Sequence, residues 1–216
     1  MFLRVHRELN KLLSLIKNYC RDTYRHSVNV SLIASRIAAH LNLSETQVDL
    51  IKVAGLLHDV GKIKIEKEII NKPGKLTRDE WNIVKKHPEY GVDILLPHSW
   101  AKPFLQWVYC HHERWDGNGY FGIKGYDIPL EARILALADA FDAITSSRPY
   151  QKKKNWQESL NEVKRCSGTQ FDPFLAQELI QFPDKILKPH ALIGDGGAEF
   201  GTQQRNRFGE EGADYN

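Results

Sequence analysis

The stretch Gly55-Leu56-Leu57-His58-Asp59-Val60-Gly61-Lys62 is the most informative part of the chain. Its apolar residues belong to a helix, and a histidine and an aspartate stand side by side where that helix ends. Such an element suits a site for two metal ions, because one carboxylate can bridge both ions with its two oxygens. Lys62 can reach back to a phosphate oxygen as a point charge. Alone, the His-Asp pair is a weak signal, since histidine near a helix C-terminus also interacts favourably with the helix dipole.

Five further His and Asp residues strengthen the metal interpretation. They too lie inside or at the end of helix-like segments, and neutral imidazole and carboxylate are ligands that Fe, Mn and Zn take from proteins. A single histidine is more often an ordinary core or surface side chain, but seven candidates in such surroundings are hard to explain that way. We therefore predict a metal-dependent hydrolase. The predicted metal ligands are His26, His58, Asp59, His87, His111, His112 and Asp139.

The pattern of apolar residues is helical throughout. Residues Leu9 to Ile16 follow the i, i+3, i+4, i+7 spacing of an amphipathic helix, and no stretch alternates long enough to require a strand. Ser44 with Gln47, and Thr77 with Glu80, predict capping boxes at two helix starts. We predict one helix from Thr77 through Tyr90, another from Pro103 to the His111–His112 pair, and loops over 62–76 and 116–128. The fold class is an all-α bundle with the metal site in its centre.

Composition limits the partners. The chain has 216 residues, 42 % hydrophobic and 26 % charged, and a formal net charge of +3, too small to indicate a nucleic acid polymer or a membrane surface. Three widely spaced cysteines without a CxxC pair indicate reduced thiols and a cytoplasmic protein. The sequence shows no secretory signal and no apolar run of membrane-spanning length, so we expect no membrane segment in this chain.

Six segments taken together resemble the HD-GYP family of the HD-domain metal-dependent phosphohydrolases. Characterised members of that family are bacterial enzymes that hydrolyse cyclic di-GMP to linear pGpG or to GMP. The resemblance covers roughly residues 20 to 182, and the spaced motifs are far more specific than any one of them. They are YRHSVNVSLIA (24–34), LLHDVGKIKI (56–65), HPEYGVDIL (87–95), HHERWDGNGY (111–120), IPLEARILALADAFDAITSSRPY (128–150) and GTQFDP (168–173).

The resemblance implies how the ligands divide between two metals. The first metal would be held by His26, His58, Asp59 and Asp139, and the second by Asp59 as the bridge with His87, His111 and His112. Fe or Mn is the expected metal, while Zn, Ni and Mg stay open. Some members hold a third metal through a Glu four residues before the first His. That place is Asp22 here, a shorter carboxylate, so the sequence leaves two against three metals open.

The chemistry implied is attack on phosphorus by a metal-bridged hydroxide, because two ions sharing Asp59 would lower the pKa of a bridging water. Asp59 and Lys62 are therefore the expected catalytic residues, with Lys62 stabilising charge on a phosphate oxygen. Lys62, Tyr120 and Arg148 are expected to contact substrate, Arg148 through a position that touches ligand phosphate in relatives. Whether pGpG or GMP is the final product stays open.

One loop departs from the family pattern. Gly119-Tyr120-Phe121 stands where relatives have Gly-Tyr-Pro, and the loop to Gly125 is one residue shorter. Because proline fixes φ, its loss predicts a looser loop. Aromatic residues of this loop can either stack on guanine or anchor the loop itself. The departure therefore keeps two alternatives open: an HD phosphohydrolase for another cyclic dinucleotide or nucleotide, and a non-catalytic metal-binding signalling module.

The expected domain organisation has three parts. Residues 1–19 form an N-terminal helix, open to interpretation as a linker from an absent upstream domain, and residues 20–190 form the HD-GYP domain. Residues 191–216, rich in glycine and charge and poor in aliphatic residues, are expected to be a disordered tail. The expected partner is a cyclic dinucleotide substrate. A homodimer and a regulatory domain or partner protein stay open.

Overall fold

A computed structural model describes residues 2–146 and 156–187. Within these ranges the chain is all-α, as predicted, with no β-strand and one isolated bridge between Ser167 and Phe171. Short 3₁₀ helices span Val60–Lys64, Ser99–Phe104 and Gly125–Asp127. The α-helices are α1 (Phe2–Tyr19), α2 (Arg21–His40), α3 (Glu45–Leu57), α4 (Lys67–Ile70), α5 (Arg78–Val84), α6 (His87–Leu95), α7 (Leu105–Cys110), α8 (Leu130–Thr145), α9 (Trp156–Arg165), α10 (Pro173–Gln181) and α11 (Pro183–Ile186).

Helix α2 is the centre of the bundle and packs most extensively on α3 and α8. Its Val30, Ile33 and Ile37 are buried in the main hydrophobic core. The approach of α2 to α3 is close enough to require glycine, since a Cβ placed on Gly55 would lie 2.6 Å from the Cα of Ser31. This packing sets the helices that carry His26 and His58 side by side.

The two predicted capping boxes are confirmed. The Ser44 and Gln47 side chains form a reciprocal capping box at α3, and Thr77 and Glu80 do the same at α5. Each box satisfies backbone N–H groups that a first helical turn leaves without partners. In the GTQFDP segment, the Asp172 side chain accepts a hydrogen bond from the N–H of Phe174 at 2.8 Å and caps α10.

Two predicted helices differ in the structure. The single helix expected from Thr77 through Tyr90 is two helices, α5 and α6, separated by Lys85 and Lys86. Pro88 explains the break, because it has no N–H to donate and it disfavours α geometry in the residue before it. Pro103 lies inside a 3₁₀ helix, and the α-helix that leads to the histidine pair begins at Leu105. The expected loop over 62–76 contains the short helix α4.

Helix α1 packs against the bundle. Leu12 and Ile16 are buried in the main core, and Glu8 holds the segment before α7. Trp100 Nε1 donates to Glu8 Oε2 at 2.9 Å, and His98 Nδ1 lies 2.9 Å from the same oxygen. No helix within the described ranges is both long and apolar enough to cross a membrane.

Candidate metal centre

The bundle brings all seven predicted ligands together. Two overlapping sets have ligand atoms within 4.8 Å of one another, and Asp59 belongs to both. The predicted division of the ligands between two metals requires one residue that belongs to both sets, and Asp59 is that residue. One set is Asp59, His87, His111 and His112; the other is His26, His58 and Asp59.

Asp139, on α8, links the two sets without belonging to either at that spacing. Its Oδ1 lies 2.9 Å from His26 Nε2, and its Oδ2 lies 3.7 Å from His112 Nδ1. Asp139 is 16 % exposed and His112 is 24 % exposed, whereas Asp59 and three of the histidines are almost completely buried. The centre therefore has a closed side in the core and an open side toward solvent.

In three histidines, a hydrogen bond from the ring to a backbone carbonyl fixes the orientation of the ring nitrogens. In His58, His87 and His111, Nδ1 lies 2.8, 2.8 and 2.6 Å from the carbonyl oxygen three residues earlier in the chain. A carbonyl oxygen only accepts hydrogen bonds, so Nδ1 must carry the proton, and in a neutral ring Nε2 keeps a lone pair. These rings are consequently oriented as ligands through Nε2.

The Nε2 atoms of His87 and His111 lie close to each other and to the carboxylate of Asp59. His87 Nε2 lies 3.2 Å from Asp59 Oδ1 and 3.2 Å from His111 Nε2. Asp59 Oδ1 is buried and has no hydrogen-bond partner of acceptable geometry. Two nitrogen lone pairs and a carboxylate oxygen facing each other without a proton are unfavourable in a buried place unless a cation lies among them. The residues present therefore fit a metal ion.

Burial and charge keep these groups in their ligating protonation states. Burial lowers the pKa of His58, lowers that of His111 well below its usual range, and lowers that of His112 to about 3. These imidazoles are neutral near pH 7. Burial would raise the pKa of Asp59, but the Lys62 ammonium and the neighbouring histidines hold it well below its ordinary value. The Asp59 carboxylate is therefore ionised.

Asp142, which sequence reasoning missed, orients His26. Its Oδ2 lies 2.6 Å from His26 Nδ1, and it also accepts from Asn29 at 2.9 Å and from Ser146 at 2.9 Å. Burial would lower the pKa of His26, but hydrogen bonds to Asp139 and Asp142 outweigh it and raise the pKa to about 9. The available signal was spacing, because Asp142 follows Asp139 by three residues on one helix face.

Lys62 and Gly61 follow the ligands directly and shape the centre. Lys62 Nζ lies 2.5 Å from Asp59 Oδ2, and its side chain is 22 % exposed, at the open side. Gly61 does not adopt a positive φ; a Cβ there would lie 1.9 Å from the carbonyl oxygen of His87. Glycine is thus required by the close packing of this segment on α6, which brings His87 to Asp59.

Tyr120 lies over the open side of the centre. Its ring centroid is 4.6 Å from that of His112 and 6.3 Å from that of His87. Burial raises the pKa of its hydroxyl, and the charges of Asp59 and Asp139 act in the same direction. Tyr120 therefore stays a neutral phenol beside the predicted ligands.

The loop that carries Tyr120 is held by a buried carboxylate, Glu113, which sequence reasoning also missed. Its two oxygens accept from the backbone N–H groups of Phe121 and Ile123, each at 2.7 Å. The Phe121 ring stacks on Tyr109 at a centroid distance of 4.1 Å and an angle of 12°. Phe121 thus anchors the loop, and it donates a hydrogen bond that proline in this position cannot make.

Arg148 lies outside the described residues. Asp22, the candidate for a third metal, is an exposed side chain that pairs with Arg25 at 2.9 Å.

Metal-dependent phosphohydrolases include families built as helical bundles around a His and Asp centre of this kind. A family model described as HD domain matches residues 10–175, and the chain belongs to this family, in the HD-GYP group that its motifs indicate. HD-domain phosphohydrolases are metal-dependent.

Curated relatives match most of this chain. A 3′3′-cGAMP-specific phosphodiesterase of Vibrio cholerae is 38% identical over 190 residues, which are 85% of this chain and 36% of the relative. A cyclic di-GMP phosphodiesterase of Thermotoga maritima is 38% identical over 186 residues, 83% of this chain and 50% of the relative. The chain spans about half or less of the length of these relatives.

A solved structure shares the fold. The HD domain of the Listeria monocytogenes phosphodiesterase PgpH, in complex with cyclic di-AMP, aligns with a TM-score of 0.59 at 19% identity. The alignment covers 82% of this chain and 97% of that domain.

Proposed function

We propose that this chain is a metal-dependent phosphodiesterase that hydrolyses cyclic di-GMP. The observation that carries the proposal is the buried carboxylate of Asp59, which belongs to two sets of potential ligands and has the Nε2 atom of His87 3.2 Å from its Oδ1. The relatives support the substrate class, since those named above are phosphodiesterases for cyclic dinucleotides.

Two divalent metal ions would be held by the seven ligands. His26, His58, Asp59 and Asp139 would bind the first, and Asp59, His87, His111 and His112 the second. Nitrogen and oxygen donors favour Fe or Mn, and they also admit Zn or Ni; Mg is less suited to imidazole. Cys110 is not a ligand in this proposal, because its buried sulfur belongs to neither set of converging ligand atoms.

The catalytic roles follow from the open side of the centre. Bound metal ions would supply Lewis-acid charge and an activated water for attack on phosphorus. Asp59 holds the centre together, and Lys62, partly exposed beside it, would stabilise negative charge on a non-bridging phosphate oxygen. Tyr120 would border the bound ligand, and Arg148 would contact its phosphate. The three free thiols fit a reducing compartment and support action in the cytoplasm.

A second cyclic dinucleotide, 3′3′-cGAMP, is a substrate candidate because one relative carries that specificity in its name. The two ligands present the same phosphodiester to the metals and differ in one purine base. Residues around the centre, and not the metal ligands themselves, would therefore discriminate between cyclic di-GMP and 3′3′-cGAMP.

The test is hydrolysis by protein reconstituted with Mn or Fe(II). Cyclic di-GMP, 3′3′-cGAMP and cyclic di-AMP are each incubated with the wild type and with Asp59→Ala, and products are separated by chromatography. We expect turnover of cyclic di-GMP by the wild type alone, and the same traces distinguish pGpG from GMP as the product. Preferred turnover of 3′3′-cGAMP would select the second candidate. Intact metal content without turnover of any of the three would support a non-catalytic metal-binding module.

A further inference from the structure

We propose that Trp81 stacks on a purine base of the bound dinucleotide, an inference that rests on the phosphodiesterase function above. Trp81 lies on α5 and is 47% exposed. An indole buries a large apolar area when it finds a partner, so one left exposed beside a ligand site suggests a contact that the ligand completes.

The position of Trp81 ties it to the metal centre through Tyr120. The Trp81 and Tyr120 ring centroids are 6.1 Å apart at an angle of 83°, and the Tyr120 ring lies 4.6 Å from His112. We call Trp81 and Tyr120 the aromatic rim. The aromatic rim extends from His112, a predicted metal ligand, to the exposed face of Trp81. A dinucleotide whose phosphodiester is bound at the metals could therefore place its attached base on Trp81.

A positive charge accompanies the aromatic rim. Lys85 follows Trp81 by four residues, so the two side chains lie on one side of the same helical turn. Lys85 Nζ lies 5.1 Å from the centroid of the Tyr120 ring. Over residues 2–146 and 156–187, no carboxylate forms a salt bridge with Lys85. An ammonium group without a paired acid beside exposed π faces favours a ligand that is both anionic and aromatic, which describes a nucleotide.

Neighbouring aromatic residues have partners within the protein. Phe121 stacks on Tyr109, and Trp115 packs against Tyr126 while the Arg133 guanidinium lies over its ring. These contacts anchor the loop and leave those rings less suited to receive a base. Trp81 has an edge contact with Tyr120 and keeps a large part of its surface open, so we assign the stacking role to Trp81.

The test compares Trp81→Ala with Trp81→Phe. Isothermal titration of metal-loaded protein with GMP measures base and phosphate binding together without turnover, and steady-state kinetics gives KM and kcat for cyclic di-GMP. Because stacking of one base on an aromatic side chain changes affinity by about 5- to 100-fold, we expect Trp81→Ala to weaken GMP binding and raise KM by that factor. Trp81→Phe should recover most of the loss, since it keeps a π face.

Ile83→Ala is the matched control. Ile83 is also exposed, at 39%, but stands two residues from Trp81 and therefore on the opposite side of α5. It should leave both affinities unchanged, and metal content and melting temperature should be equal in all variants. Equal GMP affinity and KM in the wild type and Trp81→Ala would overturn the subsite while the phosphodiesterase function stands. Absence of turnover in the wild type would instead overturn the proposed function, and the subsite with it.

Discussion

Asp59 has the most contacts with ionisable groups at the centre of the site, and each of its oxygens faces a different group. Oδ1 faces His87, and Oδ2 is in contact with Lys62 and lies 3.5 Å from His58. A buried carboxylate in this position is tolerated because the Lys62 ammonium pairs with it directly. Asp59 therefore has two roles: it belongs to both ligand sets, and its carboxylate pairs with the Lys62 ammonium.

Substitutions at Asp59 and Lys62 should separate these roles. Asp59→Ala should lose metal occupancy and hydrolysis together, since one residue serves both sets. Lys62→Ala should keep the metals and lower kcat by about 10²- to 10³-fold, the size usual for one electrostatic stabiliser. Metal analysis and initial rates on the same samples check both outcomes. An empty centre in Lys62→Ala would assign Lys62 to structure and not to catalysis.

Asp142 offers a second test at this scale. Its carboxylate holds His26 through Nδ1, and partners of this kind typically contribute about 10- to 100-fold to metal affinity. We expect Asp142→Asn to weaken metal binding within that range, measured by competition with a chelator. Asp22→Asn is the control, because Asp22 is an exposed carboxylate on α2, the helix that carries His26. Equal metal affinity in Asp142→Asn and the wild type would contradict the orienting role.

The sequence named the seven residues that the fold brings together at the candidate metal centre, because each lies within a recognisable motif. Asp142 and Glu113 were not predicted, although they stand three residues after Asp139 and one after His112. Their partners are a histidine on another helix and two backbone N–H groups of a loop. Contacts of that kind depend on tertiary packing, which residue spacing does not encode.

At the scale of elements, the loop from Glu113 to Ile123 shows how one substitution changes a local structure. Phe121 in place of the family's proline predicted a looser loop. The structure instead shows the loop fixed by both Glu113 oxygens and by stacking on Tyr109. Phe121 stabilises the loop through a backbone hydrogen bond and a ring contact that proline in this position could not make.

Restoring the family residue should therefore be unfavourable. Phe121→Pro removes the N–H that Glu113 accepts, and a lost hydrogen bond to a charged group costs about 1.5–3 kcal/mol. We expect a lower melting temperature, faster hydrogen exchange at Ile123 and weaker binding of cyclic di-GMP. Phe121→Leu keeps the N–H and loses the stacking, so the difference between Phe121→Pro and Phe121→Leu measures the contribution of the hydrogen bond. A Phe121→Pro variant with wild-type exchange and a lower KM would show that the loop prefers proline after all.

Helix starts were predicted more reliably than helix continuity. The capping boxes at Ser44 and Thr77 involve side chains three residues apart and are therefore visible in sequence. The break between α5 and α6 was missed because apolar spacing continues across it. Pro88 carried the signal, and the break leaves Trp81 on α5 and His87 at the start of α6.

At the scale of the whole molecule, the bundle assembles one candidate site from several helices. The predicted ligands come from α2, α6, α8 and the ends of α3 and α7, so no single element forms the candidate centre. The fold class followed from periodicity and the ligand set from motifs. The close approaches at Gly55 and Gly61 that bring the elements together depend on three-dimensional packing and emerged only from the structure.

Metal stoichiometry tests the central claim most directly. Elemental analysis of chelator-free protein, reconstituted with Mn or Fe(II) and then freed of unbound ions, should give close to two transition-metal ions per chain, because Asp59 is shared by two ligand sets. A value near one would contradict the shared, dinuclear centre. A value that stays near zero after reconstitution would contradict the metal site altogether.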